Sequence, residues 1–86
     1  MVQQTTIVKN KTGLHARPAS QLVQLCKKFQ SKVTLEANGT TVDCKSIFSL
    51  LHGCIQQGTT VNVIVDGADE AQALEQVIHY IDNLEE

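Results

Sequence analysis

Residues 2–9, VQQTTIVK, place the β-formers Thr5, Thr6, Ile7 and Val8 in a row with modest alternation, which predicts a strand from Val2 to Lys9. NKTG at 10–13 breaks the pattern. From Ala16 to about Phe29, apolar side chains recur at Ala19, Leu22, Val23, Cys26 and Phe29. Those steps of three and four predict an amphipathic helix. Pro18 falls in its first turn, where a missing N–H does no harm. Lys32 to Ala37 alternates cleanly, with Val33, Leu35 and Ala37 on one face. Asn38-Gly39 then predicts a tight hairpin with TTVD at 40–43 as the returning strand. Ser46 as N-cap and Gly53 as C′ residue frame a short helix bearing Ile47, Phe48, Leu50 and Leu51. Thr59 to Asp66 reads as a strand with Val61, Val63 and Val65 on one face. A last helix from about Asp69 to Leu84 carries the stripe Ala71, Leu74, Val77, Ile78, Ile81 and Leu84. Asp69 and Gln72 resemble a capping box at its start.

The predicted order is β-α-β-β-α-β-α, an α+β chain. Four strands in one mainly antiparallel sheet would be covered on one face by the amphipathic helices. The other face would meet solvent. At 86 residues the chain is expected to form one domain, 1–86. It is too small to enclose a deep dry cleft, so any chemistry belongs near the surface. Phe29, Phe48 and Tyr80 are the aromatics, so the core must be aliphatic.

Charge is divided along the chain. Residues 1–45 hold all seven Lys and Arg and only Glu36 and Asp43, a balance of +5; residues 46–86 hold seven acids and no cation, −7. A solvated acidic last helix is the simpler explanation of this; a positive face for an acidic partner is the functional one. There is no dense basic stripe or set of stacking aromatics, so nucleic acid is not an expected partner. Cys26, Cys44 and Cys54 are odd in number with no CxxC spacing, which argues for a reducing compartment. The start lacks the apolar core of a signal peptide, and no apolar run approaches membrane length. A cytoplasmic location without membrane insertion is expected.

One stretch gathers chemistry: TGLHARPAS at 12–20 puts the only arginine and only proline beside a histidine. His15 precedes a helix whose first N–H groups have no partner within it. Such a spot attracts anions, and an adjacent guanidinium grips phosphate oxygens with two N–H groups. A nucleophile, an anion cradle from the backbone of Ala16 and Arg17, and a surface position suit a residue that accepts and returns a phosphoryl group. By itself, a lone histidine at a helix start is more often a polar surface residue. His15, His52, His79 and the cysteines show no ligand spacing, so neither metal nor other cofactor is expected.

TGLHARPAS resembles the active-site stretch of the histidine-containing phosphocarrier family of the phosphoenolpyruvate-dependent sugar phosphotransferase system. CKSIFSLL at 44–51 resembles that family's regulatory-serine segment, and GTTVNVIVDGADEAQAL at 58–74 its last strand and the start of its last helix. The resemblance spans essentially the whole chain and implies an open-faced β-sandwich. It implies that His15 receives a phosphoryl group from the general phosphotransferase enzyme and passes it to the A domains of sugar-specific permeases. Arg17 would stabilise the group in transit. The chain would be a carrier and not an autonomous enzyme. Ser46 would be the target of a serine kinase/phosphorylase, with Lys45 partly offsetting the added charge, and a transcriptional regulator would be a further partner. Ser20, Gln21, Gln24 and Lys27 on the first helix, and Ile47, Phe48, Leu51 and His52 on the short one, would form the docking face. Leu50 is assigned to the core, and a monomer is expected.

Phe48 replaces the Met common in low-GC Gram-positive members, and His52 and Cys54 are untypical of them, so the segment leaves open whether a Ser46 kinase is present. A regulatory paralogue, acting as a corepressor through phosphorylated Ser46, is the alternative; such paralogues lack the active histidine. A small phosphohydrolase built around Arg17 would need a second catalytic group, and none stands near it in sequence.

Overall fold

The structure, a computed structural model, describes residues 1–84. Its order is β1 (Val2–Ile7), α1 (Ala16–Cys26), β2 (Lys32–Ala37), β3 (Thr40–Asp43), α2 (Ile47–His52), β4 (Thr60–Asp66) and α3 (Glu70–Asp82). The four strands form one sheet in the order β1-β4-β2-β3, and every neighbouring pair is antiparallel. The helices cover one face, giving the open-faced sandwich expected from the element order.

The central strand β4 sets the layering. Val61, Val63 and Val65 are fully buried against the helices, opposite Val33 and Leu35 of β2. Period-2 alternation sends Asn62 and Ile64 to the open face. There Asn62 donates to Gln3 Oε1 at 2.8 Å and Glu36 Oε1 at 3.1 Å, tying three strands together. α1 lays Ala19, Leu22, Val23 and Cys26 into the core at i, i+3, i+4 and i+7. The hairpin forms as the Asn-Gly pair predicts. Ala37 pairs with Thr40, and both loop residues take positive φ, 55° at Asn38 and 74° at Gly39.

Element ends differ from the sequence reading. β1 stops at Ile7, although Val8 stays buried and exchanges backbone bonds with Thr59 and Gly58. β4 begins at Thr60, one residue later than expected. α1 stops at Cys26 because its last bonds tighten to i→i+3 spacing (Lys28 to Leu25, Phe29 to Cys26), and Phe29 folds under the core from the following turn. α3 ends at Asp82, and its buried stripe uses Ala73 where Ala71 was expected; Ala71 is exposed. Gly53 is not the left-handed C′ residue. Its φ is −69°, and Cys54 takes the left-handed turn at φ 52°. Gly53 is required for proximity instead, since a Cβ there would stand 2.9 Å from Val42 Cγ1.

The Asp69–Gln72 capping box does not form. Asp69 starts α3 without capping it and turns its carboxylate to the turn after α1. It accepts from the N–H of Gln30 at 3.0 Å, from the N–H of Ser31 at 2.9 Å and from the Ser31 hydroxyl. Those donors, the Ser31 hydroxyl first, hold the Asp69 carboxyl below its ordinary range. The neighbouring Cys26, as hydrogen-bond partner of the protonated Cys44 thiol, and then burial push the Cys44 thiol above its ordinary range; both cysteines are free and buried.

Because the folded-state value of Asp69 is depressed, its stabilisation is present above the unfolded carboxyl pKa and is lost as pH falls through the folded one. Asp69→Asn is therefore expected to lower the melting temperature at pH 7, with the gap to the wild type closing below about pH 4. Leu50 is fully buried and Phe48 is 81% exposed. Leu50→Ala should cost about 2–5 kcal/mol in urea unfolding, and Phe48→Ala should stay within about 0.5 kcal/mol of wild type.

Candidate functional site

His15 is the N-cap of α1, with extended backbone (φ −86°, ψ −168°) and no side-chain capping bond. Its carbonyl accepts from Ala19 at 2.9 Å, which closes the first turn. The side chain is exposed, as are Ala16 and Arg17, while Leu14 and Pro18 on either side are buried. Those two anchors hold the start of the helix so that the imidazole projects to solvent. The first N–H groups of a helix have no acceptor within it, and Pro18 contributes no N–H at all. An anion bonded to the His15 ring therefore meets an electropositive helix end and a guanidinium two residues on.

What holds this loop is distant in sequence. Leu14 N–H donates to Ile55 O at 2.9 Å. Gly13, at φ +64°, lies so close to the 55–56 backbone that a Cβ would come within 2.4 Å of Ile55 O. The approach leaves a shallow hollow of about 280 Å³, lined by Thr12, Leu14 and His15 on one side and Leu51, Cys54 and Gln56 on the other. Among the described residues, larger hollows of about 480, 490 and 480 Å³ lie over the open sheet face, between β1 and α3, and between α1 and α3. None of these contains His15. A group exchanged between proteins suits a shallow, open position better than a closed cavity.

Leu51 joins this hollow to α2. Phe48 (81% exposed), Leu51 (39%) and His52 lie outward there, while Leu50 is fully buried as expected. Ile47 is a correction: it is half-buried and packs against the core, so the exposed apolar patch consists of Phe48 and Leu51. Ser20, Gln21, Gln24 and Lys27 are exposed along α1 beside Arg17. Ser46 caps α2, its Oγ accepting from Ser49 N–H at 3.3 Å. It stands at the opposite end of α2 from the hollow, ~7.5 Å from Leu51 along the helix axis at 1.5 Å per residue. Lys45 does not reach toward it. Its ammonium donates to Phe29 O at 2.9 Å.

The sequence reading missed Cys54, Ile55 and Gln56 as neighbours of His15, since contacts across about forty residues leave no local signature. The left-handed Cys54 is the clearest signal of a special backbone, but only coordinates reveal it. Among the described residues no cluster of three or more His, Cys, Asp or Glu side chains could hold a metal. No helix among them is long and apolar enough to cross a membrane.

The family model described as the PTS HPr component phosphorylation site matches residues 2–83. The chain belongs to the HPr family of phosphocarrier proteins. It is 46% identical over 81 residues to the HPr-like protein Crh of Bacillus subtilis (strain 168), covering 94% of this chain and 95% of the relative. It is 41% identical over 83 residues to the phosphocarrier protein HPr of Xylella fastidiosa (strain 9a5c), covering 96% and 93%. Among solved structures, HPr-C-His from Thermoanaerobacter tengcongensis superposes with a TM-score of 0.91 at 38% identity, covering 95% of this chain and 92% of that one. A dimer of HPr from the same organism matches with a TM-score of 0.75 over 95% and 94%. These likenesses place the chain among phosphocarriers and HPr-like regulatory paralogues.

Gly13→Ala puts a side chain into both the Ile55 carbonyl and a left-handed backbone. It should cost about 1–3 kcal/mol in urea unfolding, with amide resonances of residues 12–16 and 54–56 shifting together in NMR spectra.

Proposed function

We propose that this chain is the phosphoryl carrier of a sugar phosphotransferase system, with residues 1–86 as one carrier domain and His15 as the acceptor. The general phosphotransferase enzyme supplies the group. A ring nitrogen of His15 forms the new N–P bond as the donor's bond to phosphorus breaks, and the reverse exchange delivers the group to a permease A domain. Charge stays on the phosphoryl oxygens. The N–H groups of Ala16 and Arg17 and the Arg17 guanidinium offset it, so the remaining machinery can come from the docked protein. The exposed His15 at the start of α1 carries this reading. The hollow shared with Leu51 supports a docking face made of α1 and α2, with Ser20, Gln21, Gln24, Lys27, Phe48, Leu51 and His52 as contacts and Ile47 backing them.

The carrier works in the cytoplasm as a monomer. Relatives also known as dimers leave that last point to sedimentation measurements. Ser46 is the regulatory position, modified by a serine kinase/phosphorylase. Its distance from the hollow means a phosphate there would act on docking at α2 and not on the imidazole. With Lys45 held on Phe29 O, the new charge would be only weakly neutralised. A second reading, a regulatory paralogue that binds a transcriptional regulator through phosphorylated Ser46, is favoured by the likeness to Crh. The histidine in the His-Ala-Arg-Pro motif favours the carrier.

Incubation with labelled phosphoenolpyruvate and the general enzyme should give an acid-labile phosphohistidine. His15→Ala should abolish it, Ser46→Ala should leave it, and Arg17→Ala should slow labelling by about 10- to 100-fold, the loss of one or two charge-assisted bonds. An unlabelled wild-type chain that takes phosphate from ATP at Ser46 would favour the paralogue.

A further inference from the structure

We propose that Tyr80 is a positioning residue for docking: it holds the side-chain carbonyl of Gln21 inward, so that the Gln21 amide N–H groups face outward to an acceptor on an acidic partner. The inference rests on the reading of α1 as a docking face. Tyr80 lies near the end of α3, half-buried against the core. Its phenol oxygen stands 2.9 Å from Gln21 Oε1 and 3.1 Å from Pro18 O. Both are acceptors within reach of the phenol proton, so Tyr80 ties α3 to the first turn of α1 and to the Gln21 side chain in its second turn. An amide whose oxygen is held this way presents its two N–H groups on the other branch of the planar group, and Gln21 is exposed.

The surroundings say what that nitrogen would meet. Gln21 is exposed on a helix whose neighbouring outward residues include Arg17, Lys27 and Lys28, and no acid occurs before Glu36. A surface made of cations and amide donors recognises carboxylates and carbonyls. Tyr80 touches neither the phosphoryl group nor the partner. It fixes which end of Gln21 is offered, at little entropic cost when the partner arrives.

Tyr80→Phe removes the hydroxyl and keeps the packing. In phosphoryl transfer from the phosphoenolpyruvate-charged donor enzyme, it should raise KM for this chain by about 3- to 10-fold with kcat unchanged, the effect of one hydrogen bond. Gln21→Ala should do the same, and adding Tyr80→Phe to it should change nothing further. An unchanged KM, a fall in kcat alone, or an equal effect of Tyr80→Phe in the Gln21→Ala background would overturn the assignment. NMR checks the orientation without any partner. The Gln21 amide protons should lack cross-peaks to the Tyr80 ring, and strong cross-peaks mean the amide is turned the other way and the proposal fails. A wild-type chain that takes no label from the donor would remove the docking face itself, and this inference with it.

Discussion

The contact between Gly13-Leu14 and Ile55-Gln56 governs the rest of the molecule's functional surface. One backbone hydrogen bond and one glycine without room for a side chain clamp the β1–α1 loop to the loop after α2. With the clamp in place, Leu14 is buried and His15 has no choice but to face out at the start of α1. The same clamp brings Leu51 beside the imidazole, so His15 and the apolar patch of α2 share one surface.

Such a surface explains how so small a chain can take part in group transfer. It encloses nothing and excludes little water. In the proposed carrier function its contribution is His15 at the positive end of a helix with a guanidinium two residues away, both exposed. Preorganised charge is the part of phosphoryl-transfer catalysis a carrier can bring to every partner, and a shallow site lets different proteins complete it in turn. Concentration of the cationic residues in the first half of the chain gives those partners an electrostatic reason to approach from the α1 side.

Stability and recognition are separated residue by residue. Leu50 faces the core while Phe48 and Leu51 on the same six-residue helix do not, so this exposed apolar patch can vary with little cost to the fold. The polar stitching is likewise remote from the hollow. Asp69 closes the turn after α1, and the N-terminal ammonium pairs with Glu70 at 2.9 Å at the start of α3. Tyr80 is the exception. It links α3 to the first turn of α1 and joins packing to the recognition face.

Element types, their order and most of the core were readable from the chain, because a buried face imposes period 2 on strands and steps of three and four on helices. Asn38-Gly39 revealed the hairpin for the same local reason: two adjacent positive φ angles suit few other pairs. The exposed placing of His15 and Arg17 at the start of α1 was legible because a helix start is set by residues within a few positions. Hidden from the pattern were Asp69 serving another turn in place of its own helix, Cys54 and not Gly53 taking the left-handed bend, the half-burial of Ile47, and the neighbours of His15 from residues 51–56. Each depends on which surfaces meet when segments some fifteen to forty residues apart pack together. Periodicity carries no record of that encounter, and only the close-packed fold settles it.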